Sequence, residues 1–178
     1  MHPFGELALG LVGLYIAATL IINLLVMMGH GSPKSAAALN IFTGLLGVAV
    51  ALQAWLVSGS PMPAAQTMLF ALTYLWIGIA YWTGETDFRT FGYYCLFVTV
   101  NALIFGAYTF ALDMPILGVN WMFWAAAWFM FFVIMGIQKE KYFNLMLAVT
   151  WIATIVLWVS SLGWLLGWFD FAGFLYFP

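Results

Sequence analysis

The feature that most constrains this chain is an apolar run long enough to cross a membrane, repeated six times within 178 residues. A helix needs about 20 consecutive apolar residues to span the hydrocarbon core. The runs fall at about 7–29, 36–57, 64–83, 91–112, 117–137 and 143–166. Between them lie only Gly29–Lys34, Ser58–Pro63, Gly84–Thr90, Asp113–Pro115 and Gln138–Tyr142, so consecutive helices should be antiparallel neighbours. Charged residues make up 6% of the chain, against about 25% in a soluble domain. A surface so poor in charge faces lipid, where every backbone polar group must be satisfied within the chain. The expectation is an all-α integral membrane protein: a six-transmembrane-helix bundle filling residues 1–178 as a single membrane domain.

The basic residues orient it. Lys34, Arg89, Lys139 and Lys141 all lie in the loops after helices one, three and five, which share one face. The opposite face, with both termini, has no Lys or Arg. Positive loops stay cytoplasmic, so both termini should lie outside, periplasmic to a bacterial inner (plasma) membrane. The two halves, about 7–83 and 91–166, also resemble each other. Helix three reads LFALTYLWIGIAYW (Leu69–Trp82) and helix six reads LMLAVTWIATIVLW (Leu145–Trp158). Asn40 follows Pro33 in helix two as Asn120 follows Pro115 in helix five. A three-helix repeat would run inverted because its helix number is odd, and such repeats place a solute path near the midplane. Shared apolar composition also produces likeness of this kind.

What the spans lack excludes several functions. No Asp, Glu, Lys, Arg or His lies well inside any of them, which argues against ion coupling, proton relay and charged cargo. His2 and His30 lie at helix ends, so no haem or metal anchor is expected. No Ser–His or Cys–His pair is available for hydrolysis; no catalytic residue, cofactor or metal ligand is assigned, and the chain is not read as an enzyme. The net charge of −2 suggests no nucleic-acid partner.

The positive signal is aromatic. On helix five Trp121, Trp124, Trp128, Phe131 and Phe132 share one face at 100° per residue. Ala125, Ala126 and Ala127 on the other side allow a neighbouring helix to approach. Ile16 and Leu20 share a face of helix one, as Leu72 and Trp76 do of helix three. Such walls suit a flat, neutral, hydrogen-bonding solute, although aromatics at helical spacing also serve as packing. Among the polar residues, Asn23 and Asn101 are deepest and are expected to bond between helices.

Leu14-Tyr15 with Asn23, PKSAAALNIFTG (Pro33–Gly44), LTYLW (Leu72–Trp76), DFR (Asp87–Arg89), YCLFVTVN (Tyr94–Asn101) and LGVNWMFWAAAW (Leu117–Trp128) occur in order. Together they resemble the AmiS/UreI family of bacterial amide and urea channels, over roughly residues 10–135. The resemblance implies six helices, periplasmic termini, an inverted repeat and a ring of six protomers around lipid, each with its own pore. Carried over by position, it implies constriction residues at Ile16, Leu20, Leu72, Trp76, Trp128, Phe131 and Phe132; Trp124 joins them from the helix-five stripe. Trp76 stands where the urea branch has Tyr, and Phe131 and Phe132 where it has Leu and Trp, implying a bulkier or less polar slot.

Two departures bear on function. The acid-gated urea channels carry a long His- and carboxylate-rich loop between helices two and three. Ser58–Pro63 has no ionisable group, and without His protonation no acid gate is expected. The urea branch also has a glutamate in helix six where this chain has Thr150 and Trp151. The reading is a passive channel for small neutral amides such as acetamide, or urea, without acid gating. The alternative is a non-transporting anchor or assembly subunit of a larger complex.

Overall fold

In lipid a helix can satisfy its own backbone, and the six apolar runs do so. The computed structural model describes residues 3–173; His2 lies outside them. Its transmembrane-length helices are α1 (Pro3–Met27), α2 (Pro33–Leu52), α3 (Pro61–Thr83), α4 (Arg89–Ala111), α5 (Pro115–Phe131) and α6 (Phe143–Leu166). No strand occurs among the described residues. Three helices begin earlier than expected because Pro33, Pro61 and Pro115 occupy their first turns instead of breaking them. Proline suits that position, since the first N–H groups have no intrahelical acceptor to lose. Only 33% to 50% of each span is buried, and the outward remainder is apolar, as with Leu45, Phe97 and Ile104. Such faces are satisfied by hydrocarbon, not water.

The residues group into two compact units. One comprises Ala18–Thr86: the second part of α1, then α2 and α3. Here α2 and α3 pack along their length through small residues. A Cβ on Gly44 would lie 2.8 Å from the Leu75 backbone N, and one on Gly78 2.9 Å from that of Ile41. Two buried side-chain pairs tie α1 to α2. Thr19 Oγ1 and Thr43 Oγ1 are 2.7 Å apart, and the carboxamides of Asn23 and Asn40 bond reciprocally at 2.9 and 2.8 Å.

The other unit comprises residues up to Ala17 and from Asp87 onward: the start of α1, with α4, α5 and α6. α5 packs against both α4 and α6. At Gly92 a Cβ would come within 2.5 Å of the Gly136 Cα, so α4 and the end of α5 meet backbone to backbone. A Cβ on Gly13 of α1 would lie 3.2 Å from the Leu157 side chain and against the Ser161 hydroxyl of α6.

One motif occurs once in each unit. α2 runs into a five-residue π turn, Gln53–Val57, and α5 into another, Phe132–Gly136. In the first, Ser58 N donates to Gln53 O (3.1 Å), Gly59 turns left-handed (φ 62°) and Ser60 N donates to Ala54 O (2.8 Å). In the second, Ile137 N donates to Phe132 O (3.1 Å), Gln138 turns left-handed (φ 54°) and Lys139 N donates to Val133 O (2.9 Å). The widened turn satisfies carbonyls that a helix end leaves open.

Candidate functional site

On α5 the apolar sequence gives no amphipathic contrast, so neighbours decide which face is buried. Trp121, Trp124 and Trp128 are all buried, and Phe131 and Phe132 half-buried, while Phe129 and Ala126 point outward. The stripe is therefore an interior face of α5, not an interfacial belt exposed to lipid. Trp121 meets Trp124 edge-on at 4.9 Å between ring centroids and packs on Phe105 of α4 at 5.2 Å. Phe132, first residue of the π turn, packs on Tyr93 of α4 at 5.8 Å and crowds Gly136. These contacts give Trp121 and Phe132 a packing role at the two ends of the stripe. Trp124, Trp128 and Phe131 form its middle. Ile16, in the same unit, is buried (3%).

In the Ala18–Thr86 unit, Leu20 is half-buried one turn before Asn23 on α1. The carboxamide pair to Asn40 fixes the rotation of α1 at that level, and the Thr19–Thr43 pair fixes it next to Leu20 itself. Leu72 (45%) and Trp76 (38%) are exposed, on one stripe of α3 with Ile79, about 100° around the helix from the Ala71, Leu75 and Gly78 face packed on α2. The unit thus presents an accessible aliphatic–indole pair in mid-span. The cation-bearing loop between α3 and α4 is capped locally: Asp87 Oδ1 accepts from the Arg89 backbone N (3.0 Å), and its carboxylate grips the guanidinium at 2.9 and 3.0 Å through Nε.

Asn23 bonds across to Asn40 of α2, whereas the bond the structure gives Asn101 stays within α4. Its Nδ2 donates to Phe97 O of its own helix at 2.8 Å, on a side of α4 where Phe97, Val100 and Ile104 are exposed. α4 is apolar all round, so depth along the sequence did not reveal which way Asn101 faced. Four polar residues that join helices escaped the sequence reading: Thr19, Thr43, Asn120 and Ser160. Asn120 Nδ2 donates to Ser160 Oγ of α6 at 2.8 Å. The signal was present as Thr19/Asn23 and Asn40/Thr43 at i, i+4 and i, i+3, which puts each pair on one helix face.

Comparison with known proteins gives this geometry a setting. The sequence pattern of the AmiS/UreI family transporters matches residues 8–169. The chain is similar to a putative transporter protein AmiS2 of Rhodococcus erythropolis, 35% identical over 75% of this chain and 67% of that one. It is similar to a putative amidate substrates transporter protein of Mycolicibacterium smegmatis, 38% identical over 74% of this chain and 64% of that one. The chain thus spans about two thirds of the length of these relatives. The crystal structure of the urea channel of Helicobacter pylori superposes with a TM-score of 0.75 at 26% identity, covering 87% of this chain and 96% of that one.

Proposed function

The chain belongs to the AmiS/UreI family, a family of transporters and not of enzymes, and from that premise we propose that it is a passive channel for small neutral amides. The cargo is short-chain aliphatic amides such as acetamide, and urea; the compartment is a bacterial inner membrane, with both termini on the outside. The observation that carries this reading is the buried Trp124–Trp128 face in the middle of a span that holds no ionisable group. Indole faces hold a planar amide without requiring charge, and apolar walls keep ions hydrated outside, where a bare charge would cost several kcal/mol. The residues proposed to face the solute are, by the family resemblance, Leu20, Leu72 and Trp76 in the Ala18–Thr86 unit and Ile16, Trp128, Phe131 and Phe132 in the other, joined there by Trp124 from the α5 stripe. The matched π-turn ends of α2 and α5 support an inverted three-helix repeat. By the family resemblance the assembly is a homohexamer.

No acid gate is part of this proposal. The α2–α3 connection between Val57 and Pro61 carries no titratable group; Ser58 Oγ accepts from Gln53 Nε2 of the π turn (3.1 Å) and Ser60 Oγ donates to Ser58 O (3.3 Å). The test is stopped-flow swelling of proteoliposomes in acetamide, urea and glycerol at neutral and acid pH. Amide-driven swelling well above empty liposomes at both pH values is expected. Absence of amide flux overturns the channel, and steep acid activation overturns the ungated form.

A further inference from the structure

The Asn23–Asn40 pair shows how this fold holds a primary carboxamide. Each amide gives one N–H to the other's oxygen, and the remaining N–H of Asn40 goes to Ala36 O of its own helix at 3.0 Å. Asn120 of α5 starts the same way, with Nδ2 donating to Ile116 O at 2.9 Å, four residues back. Its second N–H goes to Ser160 Oγ of α6 at 2.8 Å. A carbonyl oxygen only accepts, so the atom facing Ile116 is the nitrogen and the free end is Oδ1. That oxygen is buried and has no hydrogen-bond partner among the described residues. Where Asn40 meets the amide of Asn23, Asn120 has an acceptor left open.

A donor is left open on α6. Trp164 stands one turn beyond Ser160 on α6, a spacing that places the two side chains on one face. It is 2% exposed, and its Nε1–H also lacks a hydrogen-bond partner among the described residues. Ser160 therefore adjoins both groups, Asn120 by its bond and Trp164 by helical register. Dry polar groups left unpaired are costly and rare in native structures. On α5, Asn120 lies one turn ahead of Trp124 and two ahead of Trp128, at the head of the aromatic stripe. Phe171 covers the Trp164 ring edge-on at 5.2 Å, and its backbone N–H donates to Glu6 at 3.4 Å, a long bond near the limit of hydrogen bonding.

We propose that Asn120 and Trp164 form a recognition site for a neutral primary amide or urea at the outer end of the α5 stripe. Asn120 Oδ1 accepts from the solute's N–H, as Asn40 does from Asn23, and Trp164 Nε1–H donates to the solute's carbonyl oxygen. Phe171 lifts from the indole to admit it. The site deepens the channel reading and rests on it for its physiological ligand, but binding can be read without flux.

The test is the indole ¹⁵N–¹H resonance of Trp164 in the purified full-length protein in micelles, identified by its loss in Trp164→Phe. Acetamide should shift it in a saturable way. N,N-dimethylacetamide, which has the carbonyl but no N–H, should bind about fivefold more weakly, the worth of one hydrogen bond. Asn120→Leu should weaken acetamide by about the same factor and leave dimethylacetamide unchanged. An unmoved resonance, or equal affinity for the two solutes in the unmutated protein, overturns the site in favour of a buried water or plain packing; neither result needs Asn120→Leu to fold. Flux without an indole shift overturns this site alone. An indole shift without flux leaves the site and overturns the channel.

Discussion

Replacing Asn23 by leucine should expose how much the carboxamide pair contributes to the position of α1. The substitution removes two buried interhelical bonds, of 2.9 and 2.8 Å. In membrane proteins such bonds average about 0.6 kcal/mol each, so their direct loss is about 1 kcal/mol. It also strands Asn40 Oδ1 at a residue that is 0% exposed, adding about 1–2 kcal/mol for an unpaired buried acceptor. The total for Asn23→Leu is thus about 2–3 kcal/mol, and Asn40→Leu should cost a similar amount. The double variant leaves no stranded amide and should cost only about 1 kcal/mol, since removing both partners together is cheap. The coupling between the positions should therefore be about 3 kcal/mol or more. It can be measured by reversible SDS titration in mixed micelles, followed by circular dichroism, for the four proteins of the cycle. Additivity within about 0.5 kcal/mol would refute the pairing and the fixed rotation of α1 that places Leu20.

Other outcomes follow from the same structure. Gly92→Ala should destabilise by about 1–3 kcal/mol, an overpacking cost, because its Cβ would sit within 2.5 Å of the Gly136 Cα; Gly5→Ala, with nothing within 4 Å, should not. Thermal unfolding of the two variants compares them directly. Trp128→Ala should change the acetamide-to-glycerol permeability ratio in proteoliposomes; an unchanged ratio removes Trp128 from the path. The Arg89 guanidinium holds the Asp87 carboxyl down to about 2. A depressed carboxylate contributes stability above its unfolded pKa and loses it as pH falls through the folded value. The loop clasp should then persist from neutral pH down to about pH 4, below which it weakens. Flux measured from pH 8 to pH 5 should be flat, and a midpoint within that window would point to a gate elsewhere.

The six helices were legible because the membrane imposes one length and one composition on each span, and their order in sequence leaves little choice of class. Their starts were misjudged at Pro33, Pro61 and Pro115, where a residue that breaks a helix interior instead serves its first turn. The π turns after Leu52 and Phe131 were not legible, since QAWLV and FVIMG carry no mark that separates them from ordinary helix. Facing was the harder problem. A soluble helix announces its buried side by polarity, but α4 and α5 are apolar all round, so only neighbours distinguish Trp124 inside from Phe129 outside. The same uniformity hid Asn101, whose amide turns back to Phe97 O. Regular spacing did carry real information on α5, because its aromatics run through mid-span and not only at its ends. Spacing also placed Leu72 and Trp76 on one face of α3, and the structure leaves those side chains exposed.

The central claim is passive passage of a neutral amide, and it is tested most directly by the rate at which labelled acetamide enters proteoliposomes of the purified protein under its own gradient. Entrance should be linear in acetamide concentration across the physiological range and unchanged when protonophore and valinomycin collapse all ion gradients. A rate no greater than that of empty vesicles, or one that vanishes with the ion gradients, would contradict it.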